Sequence, residues 1–186
     1  MNENTQTRND VSYIWTRFNP KWALSGVLAG IGAGLIAVAL GSFLSMHYMF
    51  REAAYPFKLI GAVWFGSSAL NAATFVPGGL AGLATHLSLS AFFGLVFSQF
   101  VPEWTKKRIL IIMGTLGGLA VWLFWSAMFL PSFNETMAYL LPRPVSILLH
   151  LAFGLSFGVL MVSFRPLIVR SVERESERPN VRAYQP

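Results

Sequence analysis

The sequence predicts an all-α membrane protein, a bundle of four transmembrane helices, and three observations predict it. The 186-residue chain is 54% hydrophobic and only 12% charged, about half the charged fraction of a soluble domain. No Asp, Glu, Lys or Arg occurs between Lys21 and Arg51, Lys58 and Glu103, Arg108 and Glu135, or Arg143 and Arg165. Each gap accommodates the roughly 20 apolar residues that cross a bilayer. From Leu24 to Leu44 the only polar side chains are Ser25 and Ser42, so this helix has no polar stripe to turn toward water. So short a chain cannot build a soluble core around several such helices, and its apolar runs lack the alternation of barrel strands.

In chain order, residues 1–21 form a polar, cytoplasmic tail with no cleavable signal pattern, because the apolar run that follows is too long for a signal-peptide core. One membrane domain, 22–170, contains spans over about 22–46, 79–101, 109–130 and 145–164. Segment 56–76 is apolar enough for a fifth span, but Ser67, Ser68, Asn71 and Thr74 fall on one helical face. That spacing predicts an interfacial or re-entrant helix inserted before the second span, with Pro77-Gly78-Gly79 as the turn. Residues 171–186, where Arg174, Glu175, Glu177 and Arg178 alternate in charge, form a cytoplasmic tail that reads as a solvated helix end followed by a flexible terminus.

Basic residues set the orientation. With four spans and both ends inside, the cytoplasmic side holds Arg8, Arg17, Lys21, Lys106, Lys107, Arg108, Arg165, Arg170, Arg174, Arg178 and Arg182, against Arg51, Lys58 and Arg143 outside. A five-span arrangement separates the charges almost as well, so an internal repeat decides. Gly26-Val-Leu28-Ala-Gly30-Ile31 resembles Gly114-Thr-Leu116-Gly-Gly118-Leu119, at an offset of 88 residues. His86-Leu87 with Phe93-Gly94 resembles His150-Leu151 with Phe157-Gly158, at an offset of 64. Two similar hairpins, the first carrying 24 extra residues, give four spans. Trp22 and Trp104 then mark the cytoplasmic edge as interfacial aromatics. The expected location is a bacterial inner membrane. The net charge of +6 sits beside the spans, where it meets anionic lipid rather than nucleic acid.

Small residues at four-residue spacing let membrane helices approach closely. Gly26, Gly30 and Gly34 form one ridge on the first span, and Ala33, Ala37 and Gly41 a second; Gly114 and Gly118 mark the third span, Gly154 and Gly158 the fourth. These ridges pack the bundle internally, and the presence of two on one helix leaves one for another membrane subunit.

His86 and His150 are the ionisable groups expected inside the spans, where such a group is a functional candidate by default. They lie at one depth, roughly 10 Å in from the outer side at 1.5 Å per residue. Small residues stand four positions before and after each, Gly82 and Ser90 around His86, Ser146 and Gly154 around His150, and would give a flat macrocycle clearance. Two opposed imidazoles are an axial pair for haem b, and one below a small residue resembles (bacterio)chlorophyll ligation. The competing reading is a structural histidine bonded to a nearby carbonyl or hydroxyl, such as that of Thr85 or Ser90. Met46, His47 and Met49 offer donors suited to Cu(I), but consecutive residues on a helix cannot converge on one ion. Trp122 and Trp125 lie inside the third span, facing lipid, a partner helix or a quinone. There is no cysteine, no mid-membrane carboxylate and no nucleophile–base or phosphate-binding motif, so no enzymatic activity is expected.

The glycine-rich first helix, His86 with Phe93-Gly94, Gly114-Gly118 with Pro131, and His150-Leu151 together resemble the small YagU-like bacterial inner-membrane proteins over about residues 26–164. The resemblance implies a four-helix fold and no activity; the 24-residue insertion and the Arg/Glu tail depart from it. The expected function is a non-catalytic subunit packed within a larger inner-membrane complex. The alternatives are a tetrapyrrole-binding protein using His86 and His150, and a small transporter, which the internal repeat alone favours.

Overall fold

The computed structural model describes residues 19–71, 73, 75–133 and 139–176, and all its regular structure is helical. The elements are α1 (Pro20–His47), α2 (Tyr55–Phe65), α3 (Ser68–Asn71), α4 (Gly78–Phe100), α5 (Lys107–Phe124), α6 (Leu130–Phe133) and α7 (Arg143–Ser176). Four of them, α1, α4, α5 and the Arg143–Pro166 part of α7, are long and apolar enough to cross a membrane. The chain is therefore a multi-pass helical membrane protein. Lys21, Lys106, Lys107, Arg108 and Arg165 mark one end of the bundle, called here the basic end; the opposite is the far end.

Helix starts follow local chemistry. The Asn19 carboxamide oxygen accepts hydrogen bonds from the Lys21 and Trp22 amides, and Pro20 occupies the first turn, where its missing N–H is no loss. Asn19 Nδ2 also donates to the Glu103 carboxylate at 2.5 Å, tying α1 to the α4–α5 connection. Two further bonds close this end: Trp22 Nε1 to the Val101 carbonyl at 2.8 Å, and Arg165 Nη1 to the Thr105 carbonyl at 2.8 Å. Trp22, in the first turn of α1, is buried, and its indole serves a carbonyl at the end of α4. Trp104 is exposed. Trp22→Phe should lower stability by about 1 kcal/mol, the net value of one buried hydrogen bond, in thermal unfolding of the detergent-solubilised protein. No change would mean that another donor meets Val101.

Several boundaries differ from those predicted. The third span does not run unbroken to Leu130. It passes through a π-helical turn, Trp125–Phe129, in which the Leu130 amide bonds to the Trp125 carbonyl five residues back. Pro131, which lacks an N–H, follows at once. The fourth helix runs to Ser176, so the helix end expected after Arg170 reaches that residue. Residues 1–18 and 177–186, where the remaining tail assignments fall, lie outside the described residues. Segment 56–76 is not one helix. α2 ends at Gly66, whose φ of 60° lies in the left-handed region that glycine tolerates, and the single turn of α3 follows. Ser67, Ser68 and Asn71 are exposed as a polar face requires; Thr74 lies outside the described residues.

α1 is the hub. It packs along α4, along α7 and against α2, while α5 packs along α7 and α2 along α4. No comparable backbone packing joins α4 to α5. The Gly26, Gly30, Gly34 ridge meets α4 at Gly94, Ser90 and Ser98; a Cβ on Gly26 would strike the Gly94 carbonyl, and one on Gly94 would strike the Gly26 carbonyl. Gly114 and Gly118 interlock with Gly154, Gly158 and the His150 carbonyl in the same way. The second ridge of α1 is also used. Ala29, Ala33 and Ala37 are buried in one cluster with Phe153, Phe157 and Met161 of α7, and Gly41 faces Pro56 and Leu149. Both ridges are therefore internal, which corrects the expectation that one was free for a partner. The space between α4 and α7 is filled by rings: Phe93 lies 5.3 Å from Phe153 and 5.4 Å from Phe157, and Phe97 lies 4.8 Å from Phe157, all edge to face.

Candidate functional site

Toward the far end from this phenylalanine cluster the bundle becomes polar. On α4 the positions Gly78, Gly82, His86, Ser90, Gly94 and Ser98 recur every four residues, so they form one continuous stripe. Its basic-end half, Ser90 to Ser98, meets α1; its far half, Gly78 and Gly82, meets Gly61 and Phe57 of α2. His86 stands where one partner gives way to the other. Its Nε2 is 3.1 Å from the Gly34 carbonyl oxygen, one helix away. Thr85, suggested as a neighbour for it, instead accepts from Trp64 Nε1 at 2.9 Å. On α7, His150 Nδ1 is 2.9 Å from the Ser146 carbonyl oxygen, one turn back on its own helix. Ser90 and Ser146 are buried.

These residues do not fit a tetrapyrrole. The clearance expected around the imidazoles is taken up: Gly82 is closed by the Phe57 carbonyl, and Gly154 by Gly114, Thr115 and Gly118 of α5. The Ser90 side chain lies on Gly34. His86 Nε2, the nitrogen that would ligate iron, already faces a carbonyl. The glycines beside the histidines are small because backbones cross there. The copper candidates also diverge. His47 stacks on Phe43 of its own helix, with ring centroids 4.4 Å apart, and faces the Phe43 carbonyl; Met46 is exposed, and Met49 packs with Tyr55 and Leu59. Among the described residues no three His, Cys, Asp or Glu side chains are grouped to hold a metal.

Sequence reasoning missed one feature. Lys58, taken as a charge on the outer side, faces inward from α2, with its side chain 3% exposed and its Nζ 2.6 Å from Glu52 Oε1. Glu52 is about half exposed, at 51%. Pro56 lies against Gly41, six residues before the end of α1, or about 9 Å inward at 1.5 Å per residue. Lys58 is therefore buried in the far half of the bundle, with its half-exposed carboxylate partner beside it. The available signal was the spacing of Tyr55, Lys58, Leu59 and Ala62, which places the lysine on the apolar face of α2.

Trp122 carries the remaining anomaly. Its indole nitrogen is buried without a hydrogen-bond partner among the described residues. Trp125 packs into the second apolar cluster, around Tyr55, Leu59 and Leu130. No family model, curated protein or solved structure matches the chain.

Proposed function

We propose that this protein is a non-catalytic subunit of a bacterial inner-membrane complex, with both termini in the cytoplasm. The observation that carries this reading is the exposure of Phe50 and Phe133, 87% and 68%, at the far end. Tyrosine and tryptophan are at home at a membrane–water boundary because each has a polar tip; phenylalanine has none. Both Phe side chains call for an apolar cover, and a partner subunit supplies it. The non-catalytic part is supported by how the titratable groups inside the bundle are used: His86 and His150 serve carbonyls, and Lys58 pairs with Glu52.

The architecture we propose is two similar hairpins, α1–α4 and α5–α7, with α2 and α3 inserted into the first as a re-entrant unit. Contacts recurring at the two sequence offsets support it. Gly26 meets Gly94 as Gly114 meets Gly158, and Gly30 meets Ser90 as Gly118 meets Gly154. The re-entrant reading rests on the Arg51 amide, which bonds back to the Ser45 carbonyl at 2.8 Å, and on Pro56 lying still deeper, at Gly41.

Extraction in mild detergent followed by affinity purification should co-isolate stoichiometric membrane partners, and a Phe50→Ser/Phe133→Ser double variant should lose them while eluting as a folded monomer. A partner-free, monodisperse protein obtained from native membranes would overturn the proposal.

A further inference from the structure

Four cations collect at the basic end where the chain passes from α4 to α5. Lys106, Lys107 and Arg108 follow one another there, and all three are exposed. Arg165 joins them from α7: its Nη1 donates to the Thr105 carbonyl at 2.8 Å, beside the residue that precedes Lys106. That bond occupies one of the five guanidinium N–H groups. Among the described residues none of the four is ion-paired. Glu103, the carboxylate of this connection, is held by the Asn19 carboxamide. Like charges gathered without a counter-charge repel one another, so the cluster calls for an anion.

The cluster stands at the head of an apolar opening. The helices that the connection joins, α4 and α5, are not packed along each other. Ala29, Ala33 and Ala37 let α1 close onto α7; at the 88-residue offset α5 carries Gly117, Val121 and Trp125 in their place. Gly117 still meets the Phe93 and Phe97 rings of α4. Toward the basic end the two sides differ. On the closed side Ser25 is buried and Phe164 packs against the core. Their counterparts at the offsets of 88 and 64, Met113 on α5 and Phe100 on α4, are both exposed. Met113 lies one turn before Gly117, and Phe100 lies seven residues after Phe93, so each continues the face that its helix turns toward the other. Lys106 is seven residues before Met113 on that same face of α5.

We propose that this opening binds an anionic phospholipid, with the phosphate among Lys106, Lys107 and Arg165 and one acyl chain between Met113 and Phe100. A guanidinium and two ammonium groups suit the oxygens of a phosphate, and basic pockets between membrane helices take acidic headgroups. Arg108 adds to the attraction. A free anion would answer the cations but leave the opening bare, and a neutral hydrocarbon would do the reverse. An amphiphile that carries both parts is what a bilayer supplies. The site does not depend on the partner reading above, which rests on Phe50 and Phe133 at the far end.

Native mass spectrometry of the full chain, delipidated in detergent and titrated with phosphatidylglycerol or with phosphatidylcholine of the same chains, tests this. Phosphatidylglycerol should bind saturably and more tightly than phosphatidylcholine. Lys106→Gln/Lys107→Gln should weaken it about tenfold, from the contribution of each basic residue at a membrane surface. Arg51→Gln/Arg143→Gln removes the same charge from exposed positions at the far end and should leave binding unchanged. An excess of inorganic phosphate should not displace the lipid. Met113→Trp enlarges an exposed side chain in the opening and should expel the acyl chain while leaving the helical circular dichroism intact. Equal binding of the two lipids, displacement by inorganic phosphate, or no loss in the Lys106/Lys107 variant would overturn the site. So would an equal loss in the far-end variant, or undiminished binding by a folded Met113→Trp variant.

Discussion

A Gly94→Val variant is expected to lose the folded bundle. A Cβ at this position points at the Gly26 carbonyl and lies 3.2 Å from the Gly30 Cα. Both are backbone atoms of a helix, so neither can rotate away as a side chain would. Relief comes only by moving α1 off α4, and α1 is also packed on α7 and α2. Overpacking into yielding side chains costs about 1–3 kcal/mol; against unyielding backbone the cost should be about 3 kcal/mol or more. Gly32→Ala is the matched control, because its new methyl would meet only the Leu160 Cδ1 at 2.9 Å, the movable end of a side chain. It should stay within about 1 kcal/mol of the parent. Thermal unfolding of both variants in detergent, followed by circular dichroism, checks the pair. If Gly94→Val melted with the parent protein, the close α1–α4 approach would be wrong.

The second large effect concerns the ion pair between buried Lys58 and half-exposed Glu52. Glu52→Gln leaves the Lys58 ammonium inside the bundle without its carboxylate. Breaking a fully buried pair from one side costs about 3–5 kcal/mol; because Glu52 is half exposed, about 1–3 kcal/mol is the better expectation. Lys58→Met removes the charge and keeps the stem's packing, so it should cost less than Glu52→Gln. Lys58→Met combined with Glu52→Gln should recover most of the loss, because no charge is then stranded. Unfolding midpoints of the three variants form a double-mutant cycle. Strictly additive single effects would show that the pair does not interact. The contrast matters for topology as well, since a lysine in bulk water beyond the membrane would give near-zero changes throughout.

The histidines show how far a candidate site can be read from sequence. Their position inside the spans was legible, because the charge gaps set it. Their chemistry was not. Gly82 and Gly154 had two readings, room for a cofactor or room for a backbone, and the spacing of small residues is identical for either. Only the neighbouring helix separates them: the Phe57 carbonyl fills one position and the α5 backbone the other. Lys58 shows the same limit: the spacing of Tyr55, Lys58, Leu59 and Ala62 places it on the apolar face of α2, and only the Glu52 carboxylate 2.6 Å from its Nζ shows how that position is used.

The amino-acid sequence by itself determined that the chain lives in a membrane, where its four crossing helices begin and end to within a few residues, and which faces carry the small residues. Those properties follow from hydrophobic length and helical period, which are local. Tertiary structure alone decided that both ridges of α1 are used internally, that Lys58 of α2 faces inward and pairs with Glu52, and that α4 and α5 are not packed along each other. A stripe of glycines or alanines says that some backbone comes close; which one depends on the matching surface of another helix. That match is set by the bulk of residues far away in the chain, such as Ala33 on α1 and Val121 on α5.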